Sequence, residues 1–296
     1  MARPLRIEIA GAAYHITARC DPGADAFVDD ADRLTFLSLL AQTQQRFDVQ
    51  VLAYNLLPDH FHVLLFTRRA NLSRLMRHLC GVYTQAYRRR HGGQGALFHG
   101  RFKGILVDRE AHLLDACRYV ELNAYRLGLA KEPGAWPWSS YPAHAGLAPV
   151  PAWLEADGLW AYVLDRPLAG AADRRHAAAR YARLVASAPD LQLWPGQLRR
   201  QIFLGDEAFV QRTLTQLGKV GRASGGRRSV SARLAQPGRA ASAVWADCQR
   251  RSASREQALY LAHTEGGLSM TCLARMQGVS VSRISRLVSS FEHQWA

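Results

Sequence analysis

VQVLAYNLLPDHFHVLLFT, residues 49–67, holds two apolar runs, 49–57 and 60–67, separated only by Pro58-Asp59. Their β-branched and aromatic residues suit pleated chain, and so short a polar break makes a tight β-β connection. Upstream, AAYHITAR at 12–19 is another short β-rich run. Between the two, residues 29–47 open on capping Asp residues and carry Leu34, Leu37, Leu40 and Ala41 at helical spacing. Downstream, Asn71 can cap a helix expected to run to about Arg90, with Leu72, Leu75, Leu79, Val82 and Tyr83 inward. Gly92-Gly93 ends that helix, 97–107 (LFHGRFKGILV) reads as a loop entering a strand, and a helix from about Glu110 to Leu127 stops at Gly128. The order predicts an α+β fold, an antiparallel sheet covered by helices, and excludes a doubly wound nucleotide fold. Neither GxGxxG nor GxxxxGK[ST] occurs, so chemistry driven by ATP or NAD has no support.

The 296 residues are 48% hydrophobic, enough for a core and about two domains. Net charge is +14, and all but three of the 38 basic residues are arginines. The charge is clustered: 61–110 carries +8 and 166–296 carries +12, while 1–60 and 111–165 carry −3 each. Two basic zones favour a polyanionic partner, and Arg presents a planar fork suited to phosphate. Five widely spaced cysteines without a CxxC pair suggest neither a disulfide framework nor a zinc finger. Neither a signal peptide nor a membrane span is read, so the expected setting is cytoplasmic and nucleoid-associated, with no membrane partner.

Prolines at 133, 137, 142, 149 and 151 mark a loop-rich close to the first domain, at about residue 147. A helical extension is expected over 148–217, and a flexible basic Gly/Ser/Ala/Arg linker over 218–240. Residues 241–296 end in LSMTCLARMQGVSVSRISRLVSS, 268–290, where Ala274, Gly278 and Ile284 have helix-turn-helix spacing. Ser282, Arg283 and Arg286 on its second helix would reach phosphate or base edges of duplex DNA. A plain helical hairpin for assembly is the alternative.

His60-Phe61-His62 puts two imidazoles on one face of a strand, where they could hold a divalent metal or simply hydrogen-bond on the sheet. Tyr119 and Asn123 lie four apart and share a helix face, presenting a phenol beside an amide. A phenol near a Lewis acid can attack phosphorus; the alternative is a core Tyr beside a solvent-facing Asn.

Taken in order, GAAYHITAR (11–19), YNLLPDHFHVLL (54–65), LSRLMRHLCGVYTQAYRRRH (72–91), LFHGRFKGILVD (97–108), RYVELNAYRLGL (118–129) and WPWSSYPAH (136–144) resemble the single-tyrosine HUH transposases, specifically the REP-associated tyrosine transposases. That resemblance implies a ferredoxin-like HUH domain over 1–147, with Mg²⁺ or Mn²⁺ held by His60, His62 and Asn123. It implies that Tyr119 is the nucleophile, leaving a 5′-phosphotyrosine and a free 3′-OH on single-stranded or hairpin DNA. Two residues depart from the family's Tyr-Ile-His-x-Asn-Pro: Glu121 stands for His and Ala124 for Pro. Tyr125 is a rival nucleophile on another helix face.

Arg74, Arg77, Arg88, Arg89, Arg90, Arg101 and Lys103 are the candidate phosphate contacts, with Tyr83, Tyr87, Phe98 and Phe102 as stacking surfaces for unpaired bases. His15 and His99 read as structural or surface histidines. The sequence leaves open whether the chain pairs as a homodimer. The rival reading is a catalytically silent protein that binds repeat DNA or regulates transcription.

Overall fold

The computed structural model describes residues 7–187, 198–200, 202–223, 239–264, 268 and 270–294. One compact unit spans residues 6–207, and residues 208–296 fall in a second. The boundary expected at residue 147 lies inside the first unit.

In that unit β1 (Ala12–Arg19) leads through α1 (Asp30–Phe47) to the hairpin β2 (Val49–Leu57) and β3 (His60–Thr67), then through α2 (Leu72–His91) to β4 (Lys103–Val107) and α3 (Arg109–Glu121). The sheet order is β2-β3-β1-β4, two interleaved βαβ halves of ferredoxin-like type. Beyond β4 the sheet continues with β6 (Phe203–Leu204) and β5 (Leu198–Arg199), and β6 pairs parallel to β4. The antiparallel expectation holds for the other ladders. Register sets which side chains meet across the strands: Thr17 stands opposite His62 and Arg19 opposite His60, while Thr17 also faces Lys103. Directly opposed side chains share a face, so His15, Thr17, Arg19, His60, His62 and Lys103 lie on one side of the sheet.

The other side is an aromatic core under α1 and α2. Phe27, Phe36, Phe61, Tyr83 and Phe98 pack ring to ring, and Tyr83 donates to the Ala26 carbonyl at 2.5 Å. Tyr83, Tyr87 and Phe98 are therefore buried in the core rather than offered as stacking surfaces, and Phe102 is half-buried. Spacing cannot separate the two readings, because an aromatic stripe at helical period serves either. Asp29 caps α1, accepting from the Asp32 amide at 3.0 Å. Buried Asp32 in turn accepts from the Val28 amide, from His91 Nε2 at 2.9 Å and from Arg90.

On the site's side α3 lays Leu113, Ala116, Cys117 and Val120 against Ala53, Leu64, Ile105 and Val107. The long helix expected to Leu127 breaks at Leu122 (φ −85°, ψ 7°), and α4 (Asn123–Arg126) follows. Buried Asn55 of β2 donates to the carbonyls of Val120 (3.1 Å) and Glu121 (2.9 Å), satisfying the end of α3. Glu121 points into the protein. Its Oε1 accepts from Ser140 Oγ and from His144 Nδ1 of α5 (Tyr141–His144), each at 2.5 Å. Its Oε2 accepts from the Tyr181 hydroxyl of α7 (Ala171–Ser187), also at 2.5 Å. Between them α6 (Ala156–Leu164) buries Trp160, whose indole N–H donates to the His144 carbonyl at 3.0 Å.

Helix α8 (Glu207–Ala223) and α9 (Arg239–Arg250) run into both ends of the expected linker; residues 224–238 lie outside the described residues. The second unit's α10 (Arg255–Thr264), α11 (Met270–Gln277) and α12 (Val281–Gln294) join α9 around Val244, Trp245, Leu259, Leu273, Ala274, Ile284 and Val288. Gly278, at φ +64°, takes the left-handed turn between α11 and α12 that a side chain would strain, and Ser280 Oγ caps α12 at the Arg283 amide. Fully buried Ile284 is the anchor of this small core. Ile284→Ala is expected to cost it about 2–5 kcal/mol, read as earlier chemical unfolding of the second unit with the first unit's transition unmoved. No helix among the described residues is long and apolar enough to cross a membrane.

Candidate active site

His60 and His62 alternate with Phe61, so the core demand for Phe61 on one side of β3 turns both imidazoles to the other. Their rings stand 5.0 Å apart between centroids, and only 3% and 6% of these residues is exposed. Burial lowers the pKa of both; for His60 the hydrogen bond to Asp59 partly opposes this, and for His62 the neighbouring cationic groups add to it. Both are thus neutral at pH 7, the form in which an imidazole keeps a lone pair.

The hydrogen bonds fix where those lone pairs point. His60 Nδ1 donates to Asp59 Oδ1 at 2.5 Å, leaving Nε2 to accept from Arg19 Nη2 at 3.2 Å. Arg19 is held there by its other arm, 2.6 Å from Asp59 Oδ2. Asn123 Nδ2 donates to His62 Nε2 at 2.5 Å, so His62 carries its proton on Nδ1, which faces His15 Nε2 at 2.8 Å and Thr17 Oγ1 at 3.1 Å. Each Nε2 therefore meets an N–H donor on the side where a Lewis acid would bind. Turning the Asn123 amide over puts its oxygen in place of its nitrogen, and two imidazoles with an amide oxygen suit a divalent cation.

His15, expected to be structural or on the surface, belongs to this cluster. It stacks on His62 at 5.0 Å, and burial pushes its pKa down to about 3. Tyr119 completes the group edge-on, with its ring 5.9 Å from His15 and 6.3 Å from His62. Arg126, part of the 118–129 segment but not singled out within it, lies above the Tyr119 ring with Cζ 4.2 Å from the centroid, and donates to the Tyr119 carbonyl. Register was the missing signal for His15 and Thr17, since β1 reaches His62 only through its pairing with β3.

Tyr119, His60, His62 and Asn123 are thus brought together. Lys103 is exposed on the same side of the sheet as His15, with exposed Arg101 two residues before it. The arginines of α2 are not: that helix covers the opposite side, through Tyr83 and Phe98. Of these, Arg74, Arg77 and Arg89 are exposed, Arg90 is engaged by Asp29 at 2.7 Å and by Asp32, and Arg88 reaches the Gly92 and Ala96 carbonyls. His99 is exposed and paired with Asp21. In the second unit Ser282, Arg283 and Arg286 are exposed on α12.

Residues 9–123 match the transposase family described as IS200-like. No curated protein matches the chain. Among solved structures, that of a REP-associated tyrosine transposase bound to a REP hairpin is similar over 53% of this chain and 93% of that one, at 16% identity and a TM-score of 0.44.

Proposed function

We propose that the protein, whose residues 9–123 match the IS200-like transposase family, cuts and rejoins single-stranded DNA at hairpins through a covalent tyrosine intermediate. The observation that carries this is Tyr119 held edge-on to His15 and His62, whose Nε2 meets Asn123. The Tyr119 oxygen bonds to a backbone phosphorus as the P–O3′ bond breaks. The phenolic proton is released and the departing oxygen takes one up, leaving a 5′-phosphotyrosine and a free 3′-OH. A second 3′-OH reverses the step, so bond energy is conserved and no nucleotide is consumed. His60, His62 and Asn123 would hold Mg²⁺ or Mn²⁺, which when bound supplies Lewis acidity to the scissile phosphate.

Arg101 and Lys103 would contact phosphates near the reacting strand. Arg74, Arg77 and Arg89 would hold those farther along the hairpin, across the sheet, while Arg88 and Arg90 serve first as internal ties. Ser282, Arg283 and Arg286 give α12 the groups to contact duplex phosphates.

A labelled library of single-stranded hairpins, incubated with Mg²⁺, Mn²⁺ or EDTA and then denatured, tests this. A protein–DNA adduct is expected with metal only, and His60→Ala and His62→Ala are expected to reduce it at least about 10²-fold, as loss of a metal ligand's contribution requires. Tight hairpin binding with no adduct under any condition would instead establish the silent repeat-binding or regulatory reading.

A further inference from the structure

Resting on the tyrosine reading above, we infer that Arg126 is a positioning residue for the nucleophile: its guanidinium clamps the Tyr119 ring against the imidazole cluster. Arg126 follows Tyr119 by seven residues, across the break that ends α3 before Leu122. A helical side chain leans toward the N-terminus, which sends the long Arg126 stem back over Tyr119. The break at Leu122 brings α4 into this position, with Asn123 on His62 and Arg126 on Tyr119. The contact has two points, since Cζ lies 4.2 Å from the ring centroid while Nη2 donates to the carbonyl of Tyr119 itself. A ring pinned on its face by Arg126, with its edge contacts to His15 and His62, keeps one direction for its hydroxyl.

A planar, permanently charged group suits this position where an ammonium does not, because only the guanidinium stacks flat on a π-face while donating in its own plane.

The test measures adduct formation at saturating hairpin, together with hairpin affinity, in Arg126→Ala, Arg126→Gln and Arg126→Lys. The saturating rate is expected to fall about 10²-fold in each, the effect of a misplaced nucleophile. Hairpin affinity should stay unchanged, and millimolar guanidinium or methylguanidinium should restore the rate in Arg126→Ala but not in wild type. A purely structural role predicts lost folded protein and no rescue. Wild-type rates in Arg126→Ala and Arg126→Gln, or a slow variant that guanidinium leaves slow, would overturn the inference while the tyrosine reading stands. Absence of any adduct in wild type would overturn the reading, and this inference with it.

Discussion

Tyr119→Phe is expected to abolish covalent capture of DNA, by at least about 10³-fold, while leaving hairpin binding intact, because removal of a nucleophile deletes the transition state rather than the complex. The substitution removes one oxygen. It keeps the ring that packs against His15, His62 and Arg126, so folding is not at risk. Tyr125→Phe is the matched control, two residues past Asn123 on another helix face, and should cut normally. Run on a denaturing gel, wild type and Tyr125→Phe are expected to shift the labelled strand and Tyr119→Phe is not. A shift that survives in Tyr119→Phe and disappears in Tyr125→Phe would move the nucleophile across α4. Loss in neither would place it elsewhere in the chain.

The legibility of this site depends on the distance over which its parts are related. His60 and His62 can be read together because strand period alone puts them on one face, and Tyr119 with Asn123 because helix period does the same. His15 lies 47 residues from His62, and nothing local ties the two. What joins them is the register that sets Thr17 opposite His62, a property of two strands and not of either. Arg126 differs: helix period alone would put it on the Tyr119 face, seven residues on, and what spacing does not show is the stop at Leu122, where the Asn55 side chain takes the last carbonyls of α3. Composition misleads at Tyr83, Tyr87 and Phe98, since aromatic residues beside arginines look alike whether they face bases or a core. The basic face of α2 is amphipathic as expected, yet the sheet separates it from the histidines.

Glu121→Ala is expected to lower the stability of the first unit by about 3–5 kcal/mol, the cost of removing one partner from a buried polar group and stranding the rest. From sequence, Glu121 reads as a surface residue or a disturbance at the site, in a place where related motifs carry His. It is instead 1% exposed and accepts three hydrogen bonds, from Ser140, His144 and Tyr181, each 2.5 Å long. Without the carboxylate these three donors are left in a dry interior, and Tyr181, fully buried, has no solvent to turn to. Each kcal/mol moves the melting temperature of a unit this size by about 2–4 °C, so a fall of about 6–20 °C is expected by calorimetry. Glu121→Gln keeps the shape but trades one acceptor oxygen for a donor, and should cost about 1–3 kcal/mol. Tyr181→Phe removes a single hydrogen bond and should cost about 1 kcal/mol. That ordering, Ala worst and Phe mildest, is the signature of a shared carboxylate; equal small shifts in all three would mean the carboxylate is not what holds α3 to α5 and α7. Because α3 carries Tyr119 on its opposite face, the same substitution should lower the temperature at which DNA adducts form without changing which tyrosine forms them.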